Sequence, residues 1–184
     1  LAAHLWLGLR RVGVTTWLGS PLRSLVTGDD GAVEGAVVEH EGREVRVRAR
    51  GGVILATGGF EHNPEMRRRH QPFVPEDHSL GNPANTGDGI RAGQEAGAAV
   101  DLMDEAWWFP TLAWPNGRLH MMLNERMMPA QFMVNGAGER FINEATPYSE
   151  FGHAMIAGQA SGTTHIPCWL ITDARSWRRY VIAG

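Results

Sequence analysis

The sequence predicts an α+β fold: an α/β portion carrying a small antiparallel sheet, followed by the opening of a second α+β domain. Three observations lead there. Val53-Ile54-Leu55-Ala56 is an unbroken apolar run, the pattern of a strand covered on both faces as in a parallel sheet. Ahead of it, Val45, Val47 and Ala49 alternate with Glu44, Arg46, Arg48 and Arg50, as in a half-buried antiparallel strand with one wet face. Beyond it the composition changes at Trp107. There Trp107, Trp108, Phe109 and Trp114 are followed by Met121, Met122, Met127, Met128 and Met133. A domain boundary is placed there, giving residues 1–106 and 107–184.

Taken in order, Leu1 to Arg11 reads as the tail of a helix, with Leu5, Leu9 and Val12 at helical spacing and Gly13 as the stop. Val14 to Trp17 reads as a short strand. Asp29-Asp30-Gly31 and Glu41-Gly42 are turn signals that fold the next strands into an antiparallel sheet. That sheet should feed directly into the buried strand at Val53. Thr57-Gly58-Gly59 then lets backbone turn sharply or approach a ligand closely, and in open α/β sheets ligands sit at such strand ends. Phe60 to His70 follows as a helix, with Arg67, Arg68 and Arg69 on a solvated end and Pro72 and Pro75 closing it. Thr86-Gly87-Asp88-Gly89 suits a loop opening a helix over Ile90 to Gly97, whose first N–H groups can hold an anion or polar ligand. Gly136 to Tyr148 is polar and turn-rich, Ser149 to Gly158 a short helix, and Ser161 to Thr164 a surface loop. Cys168 to Ile171 reads as another buried strand, and Asp173 to Tyr180 as a closing helix.

Composition narrows the function classes. The chain has 184 residues, enough to bury a core as one domain or two small ones, and the charged fraction of 20% is that of a globular protein. A net charge of -3 gives no reason to expect nucleic-acid binding. No apolar run approaches bilayer length, and no signal peptide is visible. The lone Cys168 has no partner for an intramolecular disulfide, which is consistent with a cytoplasmic setting. The absence of an initiator methionine and a start inside a helix suggest an excised piece of a longer protein.

Several constellations have bland readings. Eight histidines are scattered without the paired helical spacing of a metalloprotease, so no metal site is expected. No serine sits in a nucleophile elbow, and Cys168 lies in an apolar stretch, as an inert thiol would. No G-x-G-x-x-G follows a strand, so the phosphate-cradling turn of a dinucleotide fold is absent. The methionine and tryptophan cluster is ordinary core by default, or a pocket for a bulky apolar ligand. The 136–148 stretch is a salt-bridged loop, or it places a tyrosine, fixed by Pro147, at the edge of a site.

Four separated stretches share one likeness. They are Val53 through Thr57-Gly58-Gly59-Phe60, Thr86-Gly87-Asp88-Gly89 with Ala96-Gly97-Ala98, Met103-Asp104-Glu105-Ala106-Trp107-Trp108 with Pro110-Thr111, and Val134-Asn135-Gly136 through Tyr148. In order and spacing they resemble the FAD-dependent fumarate reductase and succinate dehydrogenase flavoproteins. The Trp-Trp segment and the Asn143-Glu144-Ala145-Thr146-Pro147-Tyr148 ending resemble the 3-ketosteroid Δ1-dehydrogenase branch. The resemblance implies an internal fragment of a larger two-domain flavoprotein. Residues 1–106 would be part of the FAD-binding domain, without its N-terminal Rossmann β-α-β unit. Residues 107–184 would open the substrate-binding and catalytic domain. It implies FAD as cofactor, not retained by this piece alone. Ala56, Thr57, Gly58 and Gly59 would lie along the FAD, and Thr86, Gly87 and Asp88 would help to hold it. Tyr148 matches the active-site tyrosine, and Trp108 and Phe109 would face the substrate with it. The implied partners are an apolar 3-ketosteroid and an electron acceptor.

The implied reaction takes two hydrogens from adjacent ring carbons, one as a proton and one as a hydride to the flavin. Free tyrosine, with a pKa of about 10, is a poor base at neutral pH. A ketone held by hydrogen-bond donors acidifies the neighbouring carbon, which lets Tyr148 take the proton. Two alternatives stay open. A fumarate reductase-like enzyme would clamp two carboxylates with arginines and a histidine, whereas this chain has Trp108-Phe109 before Pro110-Thr111 and Tyr148 four residues after Glu144. A non-catalytic domain that binds apolar ligands or another subunit is the third reading.

Overall fold

The computed structural model describes residues 2–180, so Leu1 and the last four residues of the expected chain end lie outside it. The described residues fall into two units: 2–58 with 87–100, and 59–86 with 101–180.

In the first unit, helix α1 (Ala2–Arg11) places Arg10 and Arg11 in its last turn, where cations complement the helix dipole. Gly13, at φ 76°, ends it as expected. None of its residues is buried. The strand expected over 14–17 does not form. The Val14 N–H turns back to the Leu9 carbonyl at 3.0 Å, so the chain has a helix-end bond there instead of a ladder, and Trp17 stacks on the His40 ring, 4.1 Å between centroids.

Strands β1 (Leu22–Thr27), β2 (Val33–His40) and β3 (Arg43–Arg48) form an antiparallel meander in that order. The β2–β3 connection is two residues long, with Glu41 at φ 51° and Gly42 at φ 74°. Two consecutive left-handed residues match the right-handed twist of the flanking strands, which is why Glu-Gly serves here and fixes the His40–Arg43 register. Helix α3 (Asp88–Glu95) packs against β1 and buries Gly89, Ala92 and Gly93.

The apolar run 53–56 is not a strand in this structure, and Ile54 is 93% exposed. A doubly covered strand needs a neighbour on each side. Among the described residues none pairs with it, because the unit's only sheet is the β1-β2-β3 meander.

In the second unit, α2 (Pro64–His70) starts later than expected. The Asn63 N–H closes a turn onto the Phe60 carbonyl, and its side chain accepts from the Met66 N–H at 3.1 Å. Pro64 then occupies the first helical position, where its missing N–H costs nothing. Arg67 is not on a solvated face: it is 3% exposed, while Arg68 and Arg69 are exposed. Strands β4 (Thr111–Ala113) and β5 (Leu119–Met121) form a hairpin. Strand β6 (Gln131–Val134) pairs antiparallel with β7 (Trp169–Thr172) across a long excursion through α4 (Tyr148–Ala160). The chain closes with α5 (Ala174–Arg179), capped by the Asp173 carboxylate on the Ser176 N–H at 2.6 Å.

β7 is covered on one face only. Trp169 and Ile171 point outward at 46% and 43% exposure, because a two-stranded ribbon has one packed side. The core of this unit gathers Phe60, Met66, Met122, Met133 and the wholly buried Phe151. Phe141 packs edge-on against Phe151, with centroids 5.7 Å apart. Burying one such ring contributes about 1.5–3 kcal/mol.

Candidate active site

Two groups of residues singled out in the sequence are organised differently by the two units. In the first, Thr57 lies under the opening turn of α3. A Cβ on Gly89 would fall 2.2 Å from Thr57 Oγ1, so the Thr57 side chain occupies the space that a side chain at position 89 would need. Gly87 precedes the helix in the left-handed region at φ 81°, and Gly58 turns at φ 79°. Asp88 accepts from Arg91 at 2.6 Å across the first turn. In the second unit, Gly59 leads into the buried Phe60, and the Thr86 carbonyl accepts from Asn63 Nδ2 at 2.9 Å. Within the first unit the Gly58 and Gly87 turns, the Thr57 hydroxyl and the Asp88 carboxylate supply donors and acceptors of the kind that fit the hydroxyl-bearing parts of a flavin nucleotide.

Tyr148 opens α4 directly after Pro147, whose φ of -47° and ψ of 140° set the entry of the chain into the helix. Its side chain is half-buried, and its hydroxyl oxygen accepts from the indole Nε1–H of Trp107 at 2.7 Å. Trp107 itself is 79% exposed, so this pair stands at the surface of its unit.

The 105–109 segment is pinned along its length. The Glu105 carboxylate pairs with His153 Nε2 on α4 at 2.8 Å, and the Glu105 carbonyl accepts from Gln71 at 3.3 Å. Trp108 presses on the α4 backbone so closely that a Cβ at Gly152 would fall 2.5 Å from Trp108 Cβ. The Arg67 guanidinium stands 5.9 Å from the Trp108 ring. Trp108 and Phe109 are half-buried. The methionine and tryptophan cluster therefore divides: Met122 and Met133 are core, while Trp107, Met121 and Met127 face outward.

The loop ahead of Tyr148 is held by ions. Glu144, 5% exposed, accepts from Arg140 at 2.6 Å and from the Met133 N–H at 2.9 Å. Burial pushes its carboxyl up, yet the Arg140 hydrogen bond and the Met133 amide outweigh this and hold it below the usual range. Arg126 donates to the carbonyls of Glu144 and Thr146 from the other side. The 136–148 stretch is thus a salt-bridged loop, and it leads into Tyr148 at the start of α4.

The sequence reading gives no site role to Arg126, and it names Trp107 only as part of the aromatic cluster and the Trp-Trp segment. Arg126 had one available signal, the single basic residue inside the methionine-rich 121–133 span, next to Glu125. Two surface concavities lie elsewhere in this unit. One is lined by Phe73, Val74, Pro75 and Ile166, the other by Phe132, Val134 and Arg140, and neither is lined by Tyr148, Trp107 or Trp108. Among the described residues, no cluster of three metal-ligating side chains occurs and no helix is long and apolar enough to cross a membrane.

The chain belongs to the FAD binding domain family, whose model matches residues 1–178; its cofactor is FAD. It is 43% identical along its whole length to a 3-oxosteroid 1-dehydrogenase of Mycobacterium tuberculosis, covering 34% of that protein. The crystal structure of a 3-ketosteroid delta1-dehydrogenase from Sterolibacterium denitrificans, in complex with 1,4-androstadiene-3,17-dione, matches 97% of the chain. Its TM-score is 0.88 at 41% identity, over 33% of that structure. A probable fumarate reductase of Shewanella frigidimarina is more distant, 31% identical over 91% of this chain and 27% of the relative. The chain thus spans about a third of the length of the curated relatives it matches.

Proposed function

We propose that the protein carrying this chain is an FAD-dependent oxidoreductase that dehydrogenates the ring of 3-ketosteroids, within steroid and lipid breakdown in the cytoplasm. The observation that carries this reading is the Tyr148 phenol, presented at the start of α4 and held by Trp107, in a chain similar end to end to a 3-oxosteroid 1-dehydrogenase. Residues 1–106 contribute to the FAD-binding domain, and 107–184 open the substrate-binding and catalytic domain. Ala56, Thr57, Gly58, Gly59, Thr86, Gly87 and Asp88 hold the FAD, which when bound supplies the hydride acceptor. Trp108 and Phe109 offer apolar surface to the steroid. Tyr148 takes the proton from the ring carbon beside the ketone, at its phenol oxygen. Electrons leave to an external acceptor.

In the full-length protein, Tyr148→Phe should lower turnover of androstenedione by about 10²–10⁴-fold, the usual contribution of a positioned base, with bound flavin unchanged. Turnover near the wild-type value would remove Tyr148 from the chemistry. The fumarate reductase relative supports a second reading, reduction of a dicarboxylate. Against it stand Trp108 and Phe109, which offer a dianion no cation. Turnover of fumarate but not androstenedione would reverse the choice.

A further inference from the structure

Arg126 sits in a single helical turn, Glu125–Met127, and is 3% exposed. A buried guanidinium is costly unless its donors are satisfied. Among the described residues Arg126 makes no ion pair. Two of its donors go instead to backbone carbonyls, Nη1 to Glu144 and Nη2 to Thr146, the latter at 2.7 Å, while its buried Nε has no partner among the described residues. Its central carbon lies 5.2 Å from the ring centroid of Phe151, a contact that attracts a cation to the ring face. The Phe151 N–H in turn closes the first bond of α4 onto the Pro147 carbonyl at 2.9 Å. One side chain therefore grips the backbone four and two residues before Tyr148 and the helix one turn after it.

We propose that Arg126 is a positioning residue for Tyr148, a clamp that sets where the phenol stands. This rests on the reading of Tyr148 as the proton acceptor. The geometry divides the work between two arginines. Arg140 takes the carboxylate of Glu144, and Arg126 takes its carbonyl, so the Glu144 carboxylate has its ion pair without Arg126. A planar fork reaches two carbonyls at once, which a lysine ammonium does not reproduce. A displaced base costs rate rather than binding, because a shift of about 1 Å in a reacting group can cost 10²-fold.

The test is a double-mutant cycle in the flavin-loaded, full-length protein, with androstenedione as substrate. Arg126→Lys should lower kcat by about 10–100-fold while KM and flavin content stay within about twofold. In the Tyr148→Phe background the same change should cost nothing further, because the clamp acts through the phenol. Unchanged kcat in Arg126→Lys overturns the proposal. So does an equal loss in both backgrounds, which would make Arg126 part of the scaffold only. Wild-type turnover by Tyr148→Phe alone fails the reading of Tyr148 and takes the clamp with it. Should Arg126→Lys lose its flavin or its fold, Phe151→Leu takes its place in the cycle, since it removes the ring beneath the guanidinium and keeps an apolar core. Loss of the fold in both variants marks the cluster as scaffold and overturns the proposal.

Discussion

At the scale of single residues, position in this chain is set by what each side chain meets. Three arginines show it. Arg68 is solvated, Arg67 is buried against Gln71 and the Pro75 carbonyl, and Arg126 is buried on carbonyls. For both buried arginines, burial pulls the guanidinium below its usual range, opposed by nearby carboxylates. Cys168 is governed in the same way. Its surface is partly accessible, but burial pushes its thiol up to about 11, and the thiolate is the reactive form. Below that value nearly all of it is protonated, so the sign is slow alkylation at neutral pH and faster alkylation as pH rises toward 11. Iodoacetamide labelling followed by mass spectrometry should show this, with unfolded protein reacting much faster at pH 8. Equal rates for folded and unfolded protein would contradict an inert thiol.

Among elements, α3 is the clearest case of local chemistry fixing a site. Gly87 turns left-handed into it, and Gly89 lies flush against Thr57. Gly89→Ala would put its Cβ 2.2 Å from Thr57 Oγ1 and 3.2 Å from Thr57 Cβ and Cγ2. Overpacking of this kind costs about 1–3 kcal/mol, read as a lowered Tm. Adding Thr57→Ala removes the obstructing atoms and should recover most of that loss. A Gly89→Ala variant as stable as the wild type would show that the contact is slack. The turn-and-helix pattern of 86–97 was legible because glycine and aspartate at a helix start act over a few adjacent residues. The 53–56 run departs from the expected strand for the opposite reason: whether an apolar run pairs as a strand depends on neighbours elsewhere in the chain.

For the whole molecule, the decisive fact is length. The chain covers about a third of its curated relatives, and it leaves Leu5, Val12, Leu18, Ile54, Trp107 and Trp177 open to solvent. Apolar surface in that amount is what one part of a larger assembly presents. The 184-residue chain purified by itself should therefore be colourless, because the residues proposed for FAD form only part of a cradle. A visible absorption spectrum checks it, and a yellow preparation carrying flavin would refute the expectation.

The sequence alone determined the family, the meander with its Glu41-Gly42 hairpin, the stop at Gly13 and the closing helix after β7. The family rests on four separated stretches read together, and the rest on residues adjacent in the chain, whose backbone preferences act locally. Tertiary structure alone decided which arginine is buried, that Trp107 reaches Tyr148, that β7 keeps one bare face and that 53–56 stays unpaired. Those outcomes depend on which partners the folded chain brings together, and burial and pairing are properties of the packed chain rather than of any short stretch of it.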